Sequence, residues 1–226
     1  MKVCYSNSLE EVHVKIGPKE KCPDTNNTLY SVVLSLPQKK TRAVYFDNIA
    51  DQESWFQILL SIQGFETQIE QYKLEKKPFW GGEFSSVWRG KHRITKQEVA
   101  VKAMEMNVNP DHDSAVYNEA KILYKCSHPF IIRCLEVFEV TSKMYVVTEY
   151  CKTGDLQQYQ KRTYHSQLFD EEYIKVLSKK IGQGINYLHE SGIVHRDIKL
   201  ENILVDEKLG VPTPIITDFG FAKIVG

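Results

Sequence analysis

At 226 residues, 42% of them apolar, the chain has material for one large or two small cored domains. Its 29 basic side chains balance 29 acidic ones, so no global field steers it toward nucleic acid or an anionic membrane. Five cysteines (Cys4, Cys22, Cys126, Cys134, Cys151) share no close spacing, which fits reduced cytoplasmic thiols and argues against zinc; no apolar run approaches a membrane span, and Met1-Lys2-Val3 opens no signal peptide.

From the N-terminus, Val12, Val14 and Ile16 alternate with His13 and Lys15, and Tyr30, Val32, Leu34 and Leu36 repeat the alternation. A third short run covers Arg42 to Phe46. Period-two patterning predicts antiparallel strands, with Pro37-Gln38-Lys39-Lys40 as the turn between the last two. A helix is expected from Asp51 as N-cap, carrying Trp55, Ile58, Leu59 and Ile62 on one face and stopping at Gly64. Strands closed by one helix with a central tryptophan resemble the second half of a pleckstrin homology domain. An unrelated β-plus-helix extension is the other reading. The first strands of that fold, with the basic loop that contacts phosphoinositide headgroups, are absent, so the resemblance implies weak or lost membrane contact. Lys39, Lys40 and Arg42 read as a solvated turn.

Residues 66–77, rich in Glu66, Glu70, Lys73, Glu75, Lys76 and Lys77, read as a polar connector. The expected division is 1–65, the connector, and a second domain over 72–226. In that domain Trp80-Gly81-Gly82-Glu83-Phe84-Ser85-Ser86-Val87 is a glycine-bearing turn, and Val99-Ala100-Val101-Lys102 a buried strand delivering a lysine. Glu119 lies in the helical stretch Asn118 to Leu123, which ends before His128-Pro129. Met144 to Val147 is an apolar strand leading into Thr148-Glu149-Tyr150-Cys151. Asp155 reads as an N-cap before Leu156. Asp170-Glu171-Glu172 opens a helix with Ile174, Leu177, Ile181, Ile185 and Leu188 on one face, acidic residues complementing its dipole, and Gly192 ending it. The seven histidines are scattered, with His195 read as a buried structural residue and the others as ordinary positions.

The densest signal follows: His195-Arg196-Asp197-Ile198-Lys199-Leu200-Glu201-Asn202, then Asp218-Phe219-Gly220. Both motifs at this spacing, with Lys199 and Asn202 in register between them, resemble the catalytic loop and metal-binding turn of eukaryotic protein kinases. Phosphoryl transfer requires a carboxylate at the acceptor hydroxyl and oxygen ligands for Mg²⁺. Asp197, Asn202 and Asp218 offer that set.

The resemblance implies an α+β bilobal kinase fold, with an antiparallel β N-lobe and an incomplete helical C-lobe, preceded by the partial β-barrel and helix. It implies ATP and Mg²⁺ as cofactors and a protein with Ser or Thr as substrate. Asp197 would take the acceptor proton, Lys199 would offset phosphoryl charge, and Lys102, paired with Glu119, would contact the phosphates. Asn202 and Asp218 would hold the metal. Phe79, Gly81, Gly82, Phe84, Val87, Ala100, Thr148, Glu149, Cys151, Asp155 and Leu204 would form the nucleotide pocket, with Glu149 and Cys151 meeting adenine through their backbones, Asp155 reaching the ribose and Thr148 at the rear. Lys199 is similar to the Ser/Thr kinases, and Leu200 with Phe221-Ala222-Lys223 to the calcium/calmodulin-dependent and AMP-activated group. Two positions depart from the GxGxxGxV pattern of the loop: Trp80 and Ser85 replace its outer glycines. Trp80, with the early end of the sequence, keeps open a nucleotide-binding regulatory pseudokinase, and the N-terminal module separately keeps open a membrane adaptor. The sequence stops soon after Gly220, before an activation segment, so little kinase activity is expected of the chain alone.

Overall fold

A computed structural model describes residues 13–23, 25–35, 41–62, 68–140, 142–164, 169–207 and 212–225. The expected turn at Pro37 to Lys40, the stop at Gly64, and Cys4, Val12, Leu36 and Glu66 lie outside the described residues. The chain forms two compact units, one of Met1–Lys76 with Gly90–Glu98 and one of Lys77–Arg89 with Val99–Gly226.

In the first unit, β1 (His13–Ile16) and β2 (Glu20–Lys21) pair antiparallel with β3 (Thr28–Ser35), which pairs on to β4 (Arg42–Phe46). Helix α1 (Ile49–Ile62) closes this sheet, and Val14, Val32, Phe56 and Leu60 form the core between them. The helix differs from its sequence reading in two ways. Asn48, whose side chain accepts the Asp51 N–H at 2.9 Å, caps it, and Asp51 lies in the first turn. The buried stripe is Gln52, Phe56 and Leu60, with Leu59 half-buried, whereas Trp55 and Ile58 are exposed. The reason is polar: Gln52 is buried because its Nε2 donates to the Ser31 carbonyl at 2.6 Å, and this turns the helix one position from the most apolar arc.

Within the stretch read as a connector, Gln68–Gln71 form a 3-10 turn and β5 (Tyr72–Leu74) pairs with the end of β7 (Ser85–His92). The Arg93 N–H donates to the Gln71 carbonyl at 2.7 Å, and Gln71 is buried.

In the second unit, β6 (Trp80–Gly81) folds back on β7, followed in the sheet by β8 (Glu98–Glu105), β10 (Lys143–Glu149) and β9 (Cys134–Val140). Helix α2 (Pro110–Lys125) begins with Asn109 as cap and proline in its first turn, and places Val116, Ala120, Ile122 and Leu123 in the core. Helix α3 (Leu156–Thr163) precedes α4 (Glu171–Glu190), whose cap Asp170 accepts the Tyr173 N–H. Leu177 and Leu188 are buried and Ile181 and Ile185 partly so, but Ile174 is exposed, so the expected α4 stripe starts one turn later. Gly192 follows the helix at φ +68°, a conformation suited to glycine. Two short pairings complete the unit: β11 (Ile193–Val194) with β14 (Lys223–Ile224), and β12 (Ile203–Asp206) with β13 (Thr213–Ile216). They pin the two ends of the motif-bearing segment. Among the described residues no helix is long and apolar enough to cross a membrane, and no three or more His, Cys, Asp or Glu side chains gather as a ready-made metal cage.

Candidate active site

Strand register decides which pocket residues meet. β8 and β10 pair so that Ala100 faces Thr148 and Lys102 faces Val146. Ala100 and Lys102, two apart, therefore project to the same side of the sheet. From there Lys102 Nζ reaches Glu119 Oε1 on α2 at 2.6 Å and Asp218 Oδ1 at 3.6 Å. Glu119 is buried, and the lysine offsets the cost of its charge.

The segment between β11 and β12 brings Asp197, Lys199 and Asn202 together. Asp197 Oδ2 lies 2.8 Å from both Lys199 Nζ and Asn202 Nδ2, and Asn202 Nδ2 also donates to the Asp197 carbonyl at 2.9 Å. The bond from Lys199, helped by that from Asn202, holds the Asp197 carboxyl below its ordinary value, and Asp197 in turn raises Lys199. The Asn202 carbonyl accepts the Thr217 N–H at 3.0 Å, tying this loop to the Asp218 turn.

His195 is the second tie. Its Nδ1 accepts the Asp197 N–H at 3.3 Å, so Nε2 carries the proton and donates to the Thr217 carbonyl at 3.0 Å. Its ring meets the buried Phe219 edge-on at 4.8 Å, and burial pushes its pKa below the ordinary 6.5. A neutral imidazole here fixes both motifs through one side chain. Arg196 Nε donates to the Phe221 carbonyl at 2.7 Å, and Asn118 Nδ2 to the Ala222 carbonyl at 3.0 Å.

The donor chemistry fits a magnesium ion. Asn202 presents its amide nitrogen to Asp197, leaving the amide oxygen for a metal. Asp218 is partly open to solvent, and its other contact is the Gly220 N–H at 3.4 Å.

On the nucleotide side, Trp80 pairs with Val87 and Gly81 with Ser86, and the Gly82 N–H donates to the Ser85 carbonyl at 2.8 Å, closing the loop. The indole edge of Trp80 lies 3.5 Å from the position a Cβ on Gly82 would take, while the side chain stays half exposed. Phe84 is held by the Glu105 N–H on its carbonyl and by the His112 ring at 5.2 Å. The Glu149 N–H donates to the Arg133 carbonyl at 3.1 Å, and the Glu149 carbonyl accepts the Thr148 hydroxyl at 3.3 Å. Asp155 caps α3 by accepting the Gln158 N–H at 2.7 Å and bridges to Leu204, bringing those two pocket residues side by side.

A clasp absent from the sequence reading joins loop and connection: Arg89 lies over the Tyr150 ring at 4.7 Å, and Phe79 meets the same ring edge-on at 6.3 Å. No local spacing announces it, because the three residues come from separate elements.

Residues 76–226 match the protein kinase domain family. The chain is 35% identical over 143 residues to serine/threonine-protein kinase ATG1c of Arabidopsis thaliana, covering 63% of this chain and 19% of that protein. It is 34% identical over 161 residues to myosin light chain kinase A of Dictyostelium discoideum (71% and 54%), and 33% identical over 143 residues to serine/threonine-protein kinase SIK2 of Gallus gallus (63% and 17%). The matches thus span between about a fifth and about half of these relatives' lengths. With more than half of its length matched to one family, and with the lysine, carboxylate and asparagine set assembled in one unit, the chain belongs to the protein kinase domain family.

Proposed function

We propose that this protein transfers the γ-phosphate of ATP to serine or threonine hydroxyls of other proteins. The observation that carries this reading is the shared carboxylate oxygen of Asp197, fixed from two sides by Lys199 and Asn202. A hydroxyl presented there meets a carboxylate already oriented, with Lys199 placed to offset charge on the moving phosphoryl group. Lys102 contacts the α- and β-phosphates while Glu119 holds its ammonium in place. Asn202 and Asp218 are the groups that hold magnesium, which when bound neutralises phosphate charge. The backbones of Glu149 and Cys151 receive adenine between Ala100, Val87 and Leu204. The test is phosphate transfer from radiolabelled ATP to a Ser/Thr peptide library by the intact protein, with phosphotyrosine as the contrary outcome.

Trp80 favours one second reading, a nucleotide-binding pseudokinase, because its indole lies against Gly82 where the loop backbone must approach phosphate. Calorimetry with Mg·ATP separates the two. If the indole crowds the loop, Trp80→Gly binds nucleotide more tightly than the parent; unchanged or weaker binding means that the indole points away or stacks usefully.

The N-terminal unit is read as a pleckstrin-like half domain and the protein as cytoplasmic. The four-stranded antiparallel sheet closed by α1 supports the first, and five cysteines without close spacing the second. Flotation with phosphoinositide vesicles is expected to show little binding.

A further inference from the structure

Asn118 stands one position before Glu119 in α2, and the transfer chemistry gives it no part. We propose that Asn118 is a positioning residue: through the Ala222 carbonyl it fixes α2 to the turn after Asp218, and so keeps Lys102, Glu119 and Asp218 in register. This inference rests on the phosphoryl-transfer reading above.

The contact is directional and joins positions 104 residues apart in the chain. Asn118 Nδ2 donates to the Ala222 carbonyl at 3.0 Å, and because a carbonyl can only accept, the amide orientation is fixed. The next residue faces the same turn. Glu119 Oε1 holds Lys102 at 2.6 Å, while Glu119 Oε2 lies 3.6 Å from the position a Cβ on Gly220 would take. Lys102 in turn lies 3.6 Å from Asp218 Oδ1. Lysine, glutamate and aspartate therefore meet only while α2 and the turn keep one spacing. Phe219 and Ala222 are buried in one cluster with Ala120 and Leu123 of α2, but such burial is non-directional, whereas a hydrogen bond weakens steeply once its angle opens.

The turn also needs a hold from outside. Asp218 has φ +62°, a strained backbone for a side-chain-bearing residue that persists only where its surroundings impose it. The Ala222 N–H closes the turn on the Phe219 carbonyl at 2.9 Å. Arg196 and Asn118 then take the next two carbonyls, those of Phe221 and Ala222. Arg196 ties the turn to the loop that bears Asp197, and Asn118 ties it to the helix that bears Glu119. Each side chain serves one half of the site.

The experiment compares the intact parent with two variants. Asn118→Leu keeps the side-chain size, removes the donor and raises helix propensity, and Asn118→Asp sets a carboxylate against the carbonyl. In the nucleotide-free proteins, hydrogen exchange at the Ala222 amide should quicken about tenfold in both, the worth of one hydrogen bond, while exchange at the buried Leu188 keeps the parent rate. In transfer assays the KM for Mg·ATP should rise by a similar factor, with the KM for the acceptor peptide unchanged. A merely structural role lowers the active fraction and moves neither KM. Parent-like exchange at Ala222, equal quickening at Leu188, or an unmoved KM for Mg·ATP in a variant that transfers would each overturn the role of Asn118. A parent that transfers no phosphate overturns the underlying reading as well, and the parent assay alone tells that failure apart.

Discussion

Asn202 Nδ2 lies 2.8 Å from Asp197 Oδ2 and 2.9 Å from the carbonyl oxygen of the same residue, so one amide fixes both the side chain and the backbone of Asp197. Lys199 bonds the same carboxylate oxygen at 2.8 Å. Asp197→Asn in the intact protein should therefore lower transfer by about 10²- to 10⁴-fold while leaving Mg·ATP affinity nearly unchanged. Activity within tenfold of the parent would remove Asp197 from this role. The pH profile carries a second outcome. Lys199 depresses the Asp197 carboxyl, so the ionised form persists to pH values below the ordinary carboxylate range, and the acid limb of activity lies low. In Lys199→Ala the carboxyl returns upward and the acid limb moves to higher pH; a limb that stays put contradicts the assignment.

The pair of Lys102 with Glu119 should show its worth in stability as well as activity. Lys102→Met leaves the buried Glu119 carboxylate without its 2.6 Å partner, a loss of about 3 kcal/mol, at the low end for buried pairs because the lysine is partly exposed. Lys102→Met with Glu119→Leu should recover most of that stability and none of the activity. Chemical denaturation of both variants decides this: a double variant no more stable than the single one would show that packing, not the buried charge, sets the loss.

Two glycines two positions apart in α4 should respond in opposite directions to the same change. A Cβ on Gly182 meets nothing within 4 Å, so Gly182→Ala should stabilise by about 0.5–1 kcal/mol through helix propensity. A Cβ on Gly184 would sit 2.8 Å from Ile216 Cδ1 and 3.3 Å from the Phe130 carbonyl oxygen. The carbonyl cannot easily give way, so Gly184→Ala should destabilise by about 1–3 kcal/mol. Thermal melts of the two variants read the sign directly, and a shared sign would contradict the packing described.

In the N-terminal unit, Phe56→Ala should cost about 3–5 kcal/mol and Trp55→Ala within about 0.5 kcal/mol, because Phe56 is 1% exposed and Trp55 52%. Denaturation monitored by far-ultraviolet dichroism distinguishes this from the reverse order that hydrophobicity alone would give.

That reversal shows where the sequence stops speaking. Asp197, Lys199 and Asn202 were legible because their partners lie within a few residues, so chain spacing nearly equals spatial arrangement. Lys102 and Glu119 were legible through resemblance, and the register of β8 with β10 makes their meeting physical. The face of α1 was not, because its rotation is set by a buried amide, Gln52, whose partner carbonyl belongs to a distant strand. The clasp of Arg89 and Phe79 on Tyr150 was invisible for the same reason, and so was the difference between Gly182 and Gly184, which depends on what stands opposite each. Local chemistry reads from the string; orientation reads from the neighbour.

Arg196 and Asp218 hold φ angles of +68° and +62° without being glycine. In that region a side chain is strained by about 1 kcal/mol or more, and glycine would relieve it. A chain selected for stability alone would carry glycine at Asp218, and Asp218→Gly is the simplest way to relieve that backbone strain and leave the protein chemically useless. The two residues are a local trade of robustness for charge, held in place by the strands on either side of them.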